Sequence, residues 1–194
     1  MPLTPFQKQK IRRLFTVLDA NRDGRVDRSD FLHRVDALAR LRGWSEVSPE
    51  YVRNRHYVLE EWEAVRDSAD LDDSGAVALD EYLRYAEIFL DDPEAVQAYA
   101  RGDVQLLFDA MDTDGDDAIT LDEYRAYLAA CGVDASAAEV FFEHADRDRD
   151  GAITRDEMAR AVEEFLTSED PEAAGNFMFG PLEGEGIGAG AAGA

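Results

Sequence analysis

Apolar residues recur at helical spacing in front of four short acidic windows, and again behind them. Ile11, Leu14, Phe15 and Leu18 fall at i, i+3, i+4 and i+7, as do Val104, Leu107, Phe108 and Met111. Ala138, Phe141, Phe142 and Ala145 repeat the spacing, while Trp62, Val65 and Ala69 follow it more loosely. Such spacing places the apolar side chains on one face of a helix. Behind the windows, Phe31/Leu32/Val35, Tyr82/Leu83/Ala86, Tyr124/Tyr127/Leu128 and Met158/Val162/Phe165 begin new stripes. The pattern predicts helix, acidic loop, helix, four times over.

The windows are residues 19–30, 70–81, 112–123 and 146–157. Each has an oxygen-bearing side chain at positions 1, 3, 5 and 12. Each has an aliphatic at position 8: Val26, Val77, Ile119 and Ile153. Three have glycine at position 6, and the third has Asp117 there. The unit resembles the EF-hand over nearly all of residues 5–168, and four copies between amphipathic helices make the match specific. The loops start at 19, 70, 112 and 146, so their spacing is uneven. The long first interval has a break near Gly43–Pro49. This spacing, with the closing segment from Glu169 to Leu182, is similar to the sarcoplasmic calcium-binding proteins and their bacterial calerythrin-type relatives.

The resemblance implies an all-α fold, with four EF-hands in two pairs packed into one compact globule and short β pairing between loops. It places an N-terminal pair at 1–90, a C-terminal pair at 91–170, a packing segment at 171–182 and a disordered tail at 183–194. Asp91-Asp92-Pro93 would separate the pairs.

Calcium takes six to eight oxygens, and an EF-hand loop supplies them from side chains at 1, 3 and 5, a carbonyl at 7 and a bidentate carboxylate at 12. Carried onto this chain, loop four offers Asp146, Asp148, Asp150, the Ala152 carbonyl and Glu157. Loop three offers Asp112, Asp114, Asp116, the Ala118 carbonyl and Glu123, with Asp117 expected in a left-handed conformation at small cost. Loop one offers Asp19, Asn21, Asp23, the Arg25 carbonyl, Asp27 and Asp30. Its terminal aspartate is one methylene short of glutamate, which favours six-coordination and admits Mg2+ beside Ca2+. Loop two offers Asp70, Asp72, Ser74, the Ala76 carbonyl and Glu81, and with Ala78 at position 9 it is the weakest. Three or four calcium ions are expected.

Charge supports a cation partner. Twenty basic against 43 acidic residues leave a net charge of −23 over 194 residues. Such a surface repels phosphate, so nucleic acid and anionic membranes are not expected partners. The N-terminus lacks the apolar run of a secretory signal, and the reading is a cytoplasmic monomer. Two lysines against 18 arginines fit a GC-rich, bacterial gene. His33, His56 and His144 are scattered and Cys131 is single, which gives no zinc site. There is no phosphate-cradling glycine loop and no nucleophile–base set, so catalysis is not expected. The cations of Lys8–Arg13 are read as balancing the acidic field.

A calcium sensor presents a methionine-rich groove to its targets. This chain has four methionines, but ten Phe, seven Tyr and two Trp. Rigid aromatics favour a closed core. Phe177, Met178, Phe179 and Leu182 are expected to fold back over the groove. The reading is a calcium buffer or transporter of the sarcoplasmic type, with a sensor acting on a protein partner as the alternative. Photoproteins share the architecture, but nothing in the sequence marks a chromophore site.

Overall fold

A computed structural model of the chain describes residues 2–180 and Leu182. The expected tail at 183–194 lies outside the described residues.

Among the described residues, eight helices and four three-residue strands follow one another, each strand set between two helices. They are α1 (Pro5–Leu18), β1 (Arg25–Asp27), α2 (Arg28–Arg42), α3 (Pro49–Ala69), β2 (Ala76–Ala78), α4 (Leu79–Phe89), α5 (Pro93–Met111), β3 (Ala118–Thr120), α6 (Leu121–Ala130), α7 (Ala137–Ala145), β4 (Ala152–Thr154) and α8 (Arg155–Thr167). A 3-10 turn over Ala174–Phe177 follows. Local chemistry sets the boundaries. Thr4, Ser48 and Asp92 cap α1, α3 and α5, each ahead of a proline that lacks the amide a helix start leaves unpaired. Gly43, with φ of 67°, ends α2 in the left-handed conformation that glycine adopts most readily.

The position-eight aliphatics are the hinge pins of the two pairs. Val26 faces Val77 and Ile119 faces Ile153 in antiparallel register, joining loop one to loop two and loop three to loop four. All four are fully buried. One hydrophobic cluster then runs through both pairs, from Ile11 and Phe15 through Trp62 and Phe108 to Phe165 and Met178. Trp62 is buried within it, and Trp44 packs at its edge.

Half-buried polar groups line this core where the halves meet. Arg34 on α2 pairs with Glu61 on α3 at 2.6 Å. Burial pushes the Asp103 carboxyl on α5 up to about 6, against the pull of the Arg34 charge. A half-open apolar cavity of about 240 Å³ lies nearby, beside Tyr57, Tyr82, Tyr85 and Tyr99. No helix among the described residues is long and apolar enough to cross a membrane.

The closing segment crosses α7 and α8. Gly175 rests directly on α8: a Cβ there would stand 2.1 Å from the Ala161 carbonyl oxygen and 2.3 Å from the Phe165 nitrogen. Met178 is buried, and its carbonyl accepts a 2.7 Å bond from the Tyr124 hydroxyl. The Phe179 ring meets Phe165 edge-on at 5.4 Å, and Phe177 stacks on His144 at 3.9 Å.

The basic N-terminal stretch does more than balance charge. Arg13 donates to the Phe179 carbonyl through Nε at 2.9 Å and through Nη2. Lys10 is fully buried, with Nζ donating to the Ser168 carbonyl at 2.6 Å and the Glu164 carbonyl at 3.2 Å. A cation on the last carbonyls of α8 complements the negative end of the helix dipole. The sequence alone could not separate these two residues from their exposed neighbours, because their partners lie more than 150 positions away.

Candidate metal centre

The four acidic loops share one backbone path. Residues at position 4 (Arg22, Asp73, Gly115, Arg149) and position 6 (Gly24, Gly75, Asp117, Gly151) all have positive φ. Asp117, at 70°, holds the conformation expected of it without glycine's freedom. Its carboxylate bonds Arg155 of the neighbouring loop at 2.8 Å, and that guanidinium lies 4.2 Å from the Phe108 ring centroid.

The first residue organises each turn from within. The Asp19 carboxylate accepts the amides of Asp23 and Gly24, and Asp70 those of Ser74 and Gly75. Asp112 accepts those of Gly115 and Asp117, and Asp146 those of Asp150 and Gly151. Side chains at position 3 (Asn21, Asp72, Asp114 and Asp148) accept the amide at position 5. Asp23, Asp116 and Asp150 accept the amide at position 7, whose carbonyl belongs to Arg25, Ala118 or Ala152. Loop two differs here: the Ser74 hydroxyl donates to the Ala76 carbonyl at 2.8 Å, so two would-be ligands satisfy each other.

The twelfth residue closes each loop by bonding its two ends. Glu81 accepts from Leu71 and Ala78, Glu123 from Thr113 and Thr120, and Glu157 from Arg147 and Thr154. Each glutamate lies in the first turn of an exit helix; Thr120 with Glu123 and Thr154 with Glu157 form capping boxes, while Ala78 has no side-chain acceptor and only the Glu81 half of the exchange remains. Asp30 bridges Ala20 and Asp27 in the same way, with the shorter side chain.

The loops differ in how their carboxylates gather. Carboxylate oxygens of Asp70, Asp72 and Glu81 lie within 4.8 Å of one another, as do those of Asp112, Asp114 and Glu123, and of Asp146, Asp148 and Glu157. Among the described residues, loop one makes no such three-carboxylate group, because Asn21 holds the place of the second aspartate. Burial opposes charge on Glu123, yet the Thr113 and Thr120 bonds outweigh it and hold that carboxyl below the usual range. Glu157 is held low in the same way, chiefly by the Thr154 and Arg147 amides. For Asp30 burial wins over the Asp27 and Asn21 amides, and its carboxyl is raised.

The acids also repel one another. The Asp150 amide favours charge on Asp148, but lost solvent and the charges of Asp150, Glu157 and Asp146 leave its carboxyl raised. A divalent cation centred on such a cluster reverses the sign of that repulsion. All-oxygen donors, with no thiolate or imidazole among them, suit a hard cation such as Ca2+ or Mg2+.

Two family profiles match the chain. That described as EF hand covers residues 11–35 and 138–162, and that described as EF-hand domain pair covers residues 99–131. No curated protein matches the sequence. A Streptomyces coelicolor calcium-binding protein of prokaryotic calcium-mediated regulation is similar at 25% identity and a TM-score of 0.70, over 83% of this chain and 98% of that one. A sarcoplasmic calcium-binding protein from amphioxus is similar at 25% identity and a TM-score of 0.72, over 92% and 98%. The coelenterazine-binding protein from Renilla muelleri shares the fold at 23% identity and a TM-score of 0.68, over 93% and 100%.

Proposed function

We propose that this chain, a member of the EF-hand superfamily, binds calcium in its acidic loops as a cytoplasmic buffer of the sarcoplasmic type. The ligands would be the side chains and position-seven carbonyls named above for loops 19–30, 70–81, 112–123 and 146–157. Loops three and four would be the strongest sites. Loop one would accept Mg2+ as well as Ca2+, because Asp30 reaches less far. Loop two would be held back by the Ser74–Ala76 bond and by having only three carboxylates.

The observation that carries the buffering role is the segment 174–179. It occupies the apolar surface of α7 and α8 that a sensor would offer to a target helix, with Gly175 in backbone contact and Met178 buried. A covered groove leaves ion uptake as the output. Binding to the native state alone would also stabilise the fold by linkage.

The second reading is a sensor, in which calcium loading frees that segment and a protein partner takes its place. The similarity to the Streptomyces coelicolor protein of calcium-mediated regulation favours it.

Hydrophobic-probe fluorescence of the full chain separates the two. A buffer compacts with calcium and releases probe; a sensor shows a large calcium-induced rise from a folded start. Calorimetric titration with Ca2+, repeated in millimolar Mg2+, counts the sites. Glu157→Gln is expected to remove one tight site, because it takes away the charge of a two-oxygen ligand. An unchanged stoichiometry would overturn the assignment of loop four.

A further inference from the structure

Loop three is gripped from outside its own pair. Arg42, the last residue of α2, donates through Nη1 to the carbonyl of Asp112, the first residue of loop three, at 2.5 Å. Its guanidinium also lies 5.9 Å from the Trp44 ring centroid, so the arm is held from both sides. One turn earlier on α5, Asp109 accepts from Arg53 of α3 at 2.6 and 3.0 Å. Gln105 steadies the same carboxylate at 2.8 Å. Two cations of the N-terminal pair therefore hold the C-terminal end of α5, where cations complement the negative end of the helix dipole and where loop three begins.

The other end of α2 lies in loop one. Asp30, the twelfth loop residue, sits in the first turn of α2 and bonds both ends of that loop. Asp30 and Arg42 are twelve residues apart on one continuous helix, about 18 Å at 1.5 Å per residue. A cation in loop one would draw Asp30 inward, and a helix moves as a rod. The displacement is then delivered at Arg42 to the first residue of loop three.

We propose that Arg42 is a positioning residue that couples loop one to loop three, so that the calcium sites of the two pairs fill cooperatively. The inference rests on the reading of these loops as calcium sites. Coupling between sites is reciprocal: calcium in loop three must tighten loop one by the same factor.

The test is a double-mutant cycle on the full chain, titrated with CaCl2 and followed through backbone amide NMR signals of residues 116–118. Loop one is silenced with Asp19→Ala and Asp23→Ala. With Arg42 present, silencing is expected to weaken loop three by about fivefold or more, the usual lower range of such couplings. With Arg42→Met, silencing is expected to leave loop three unchanged. The inference is overturned if loop three ignores the silencing when Arg42 is present, or responds equally without it. Should Arg42→Met lose helical circular dichroism, Arg42→Gln repeats the cycle with a polar side chain too short to reach the carbonyl, and the same loss of coupling is expected. If none of the loops takes up calcium, the proposed function itself fails. If the loops fill independently, only the coupling fails.

Discussion

Replacing Gly175 with alanine adds one methyl group where there is no room. The Cβ would meet the Ala161 oxygen at 2.1 Å and the Phe165 nitrogen at 2.3 Å, both backbone atoms of α8. Ordinary carbon contacts are about 3.5–4.0 Å, so a shift well over an ångström is required. Gly175 is absent from the residues of positive φ, so backbone preference does not oppose alanine there and the cost is steric. Helix α8 is packed on both sides and cannot yield; the segment must lift. Lifting exposes Met178, whose burial is worth roughly 1.5–3 kcal/mol. It also strands the buried Tyr124 hydroxyl, at about 1–3 kcal/mol. The expected loss is about 2.5–6 kcal/mol, or roughly 5–24 °C in Tm for a chain of this length. Thermal unfolding in saturating calcium measures the loss, and a hydrophobic probe reads the uncovered α7–α8 face. Unchanged Tm together with unchanged probe signal would refute both the packing argument and the covered-groove account of buffering.

Asp30→Glu restores the missing methylene in loop one. Calcium preference over magnesium at that loop is expected to rise, measured by calorimetry with Ca2+ in a magnesium background; an unaltered ratio would mean that reach is not what sets selectivity there. Burial lowers the Lys10 ammonium to about 8, with Glu169 and Glu164 pulling the other way. Its usual value is 10.5, so between these limits the unfolded chain holds more protons than the native one, and native stability must rise with pH. Urea unfolding of the natural chain minus that of Lys10→Met should therefore climb between about pH 8 and pH 10. A flat or falling difference would show that the ammonium is not buried as described.

How far the sequence reaches can be judged loop by loop. Twelve-residue windows flanked by 3.6-period stripes are local patterns, because helix, turn and ligand spacing are each set within about a dozen residues. The four units and the left-handed Asp117 follow from such patterns, whereas the pairing of Val26 with Val77 and of Ile119 with Ile153 joins residues 51 and 34 positions apart and is expected only from the resemblance to the EF-hand. Loop one's different chemistry is legible too: Asn21 stands where the other three loops carry the aspartate that joins the first and twelfth carboxylates, and Asp30 is one methylene shorter than their glutamates. The Ser74 hydroxyl donating to the Ala76 carbonyl was not legible, since a serine at position five offers the same oxygen in every written pattern.

What only the tertiary structure decided is where distant charges go. Lys8, Lys10, Arg12 and Arg13 look alike in the chain, yet Lys10 is buried against the end of α8 and Arg13 holds the Phe179 carbonyl. Arg42 and Arg53 likewise give no sign in sequence that they meet at the end of α5. A side chain's periodicity reports which face it occupies, and local composition reports what its near neighbours are. Neither reports which carbonyl, contributed from across the fold, will face a cation once one core has closed over both pairs.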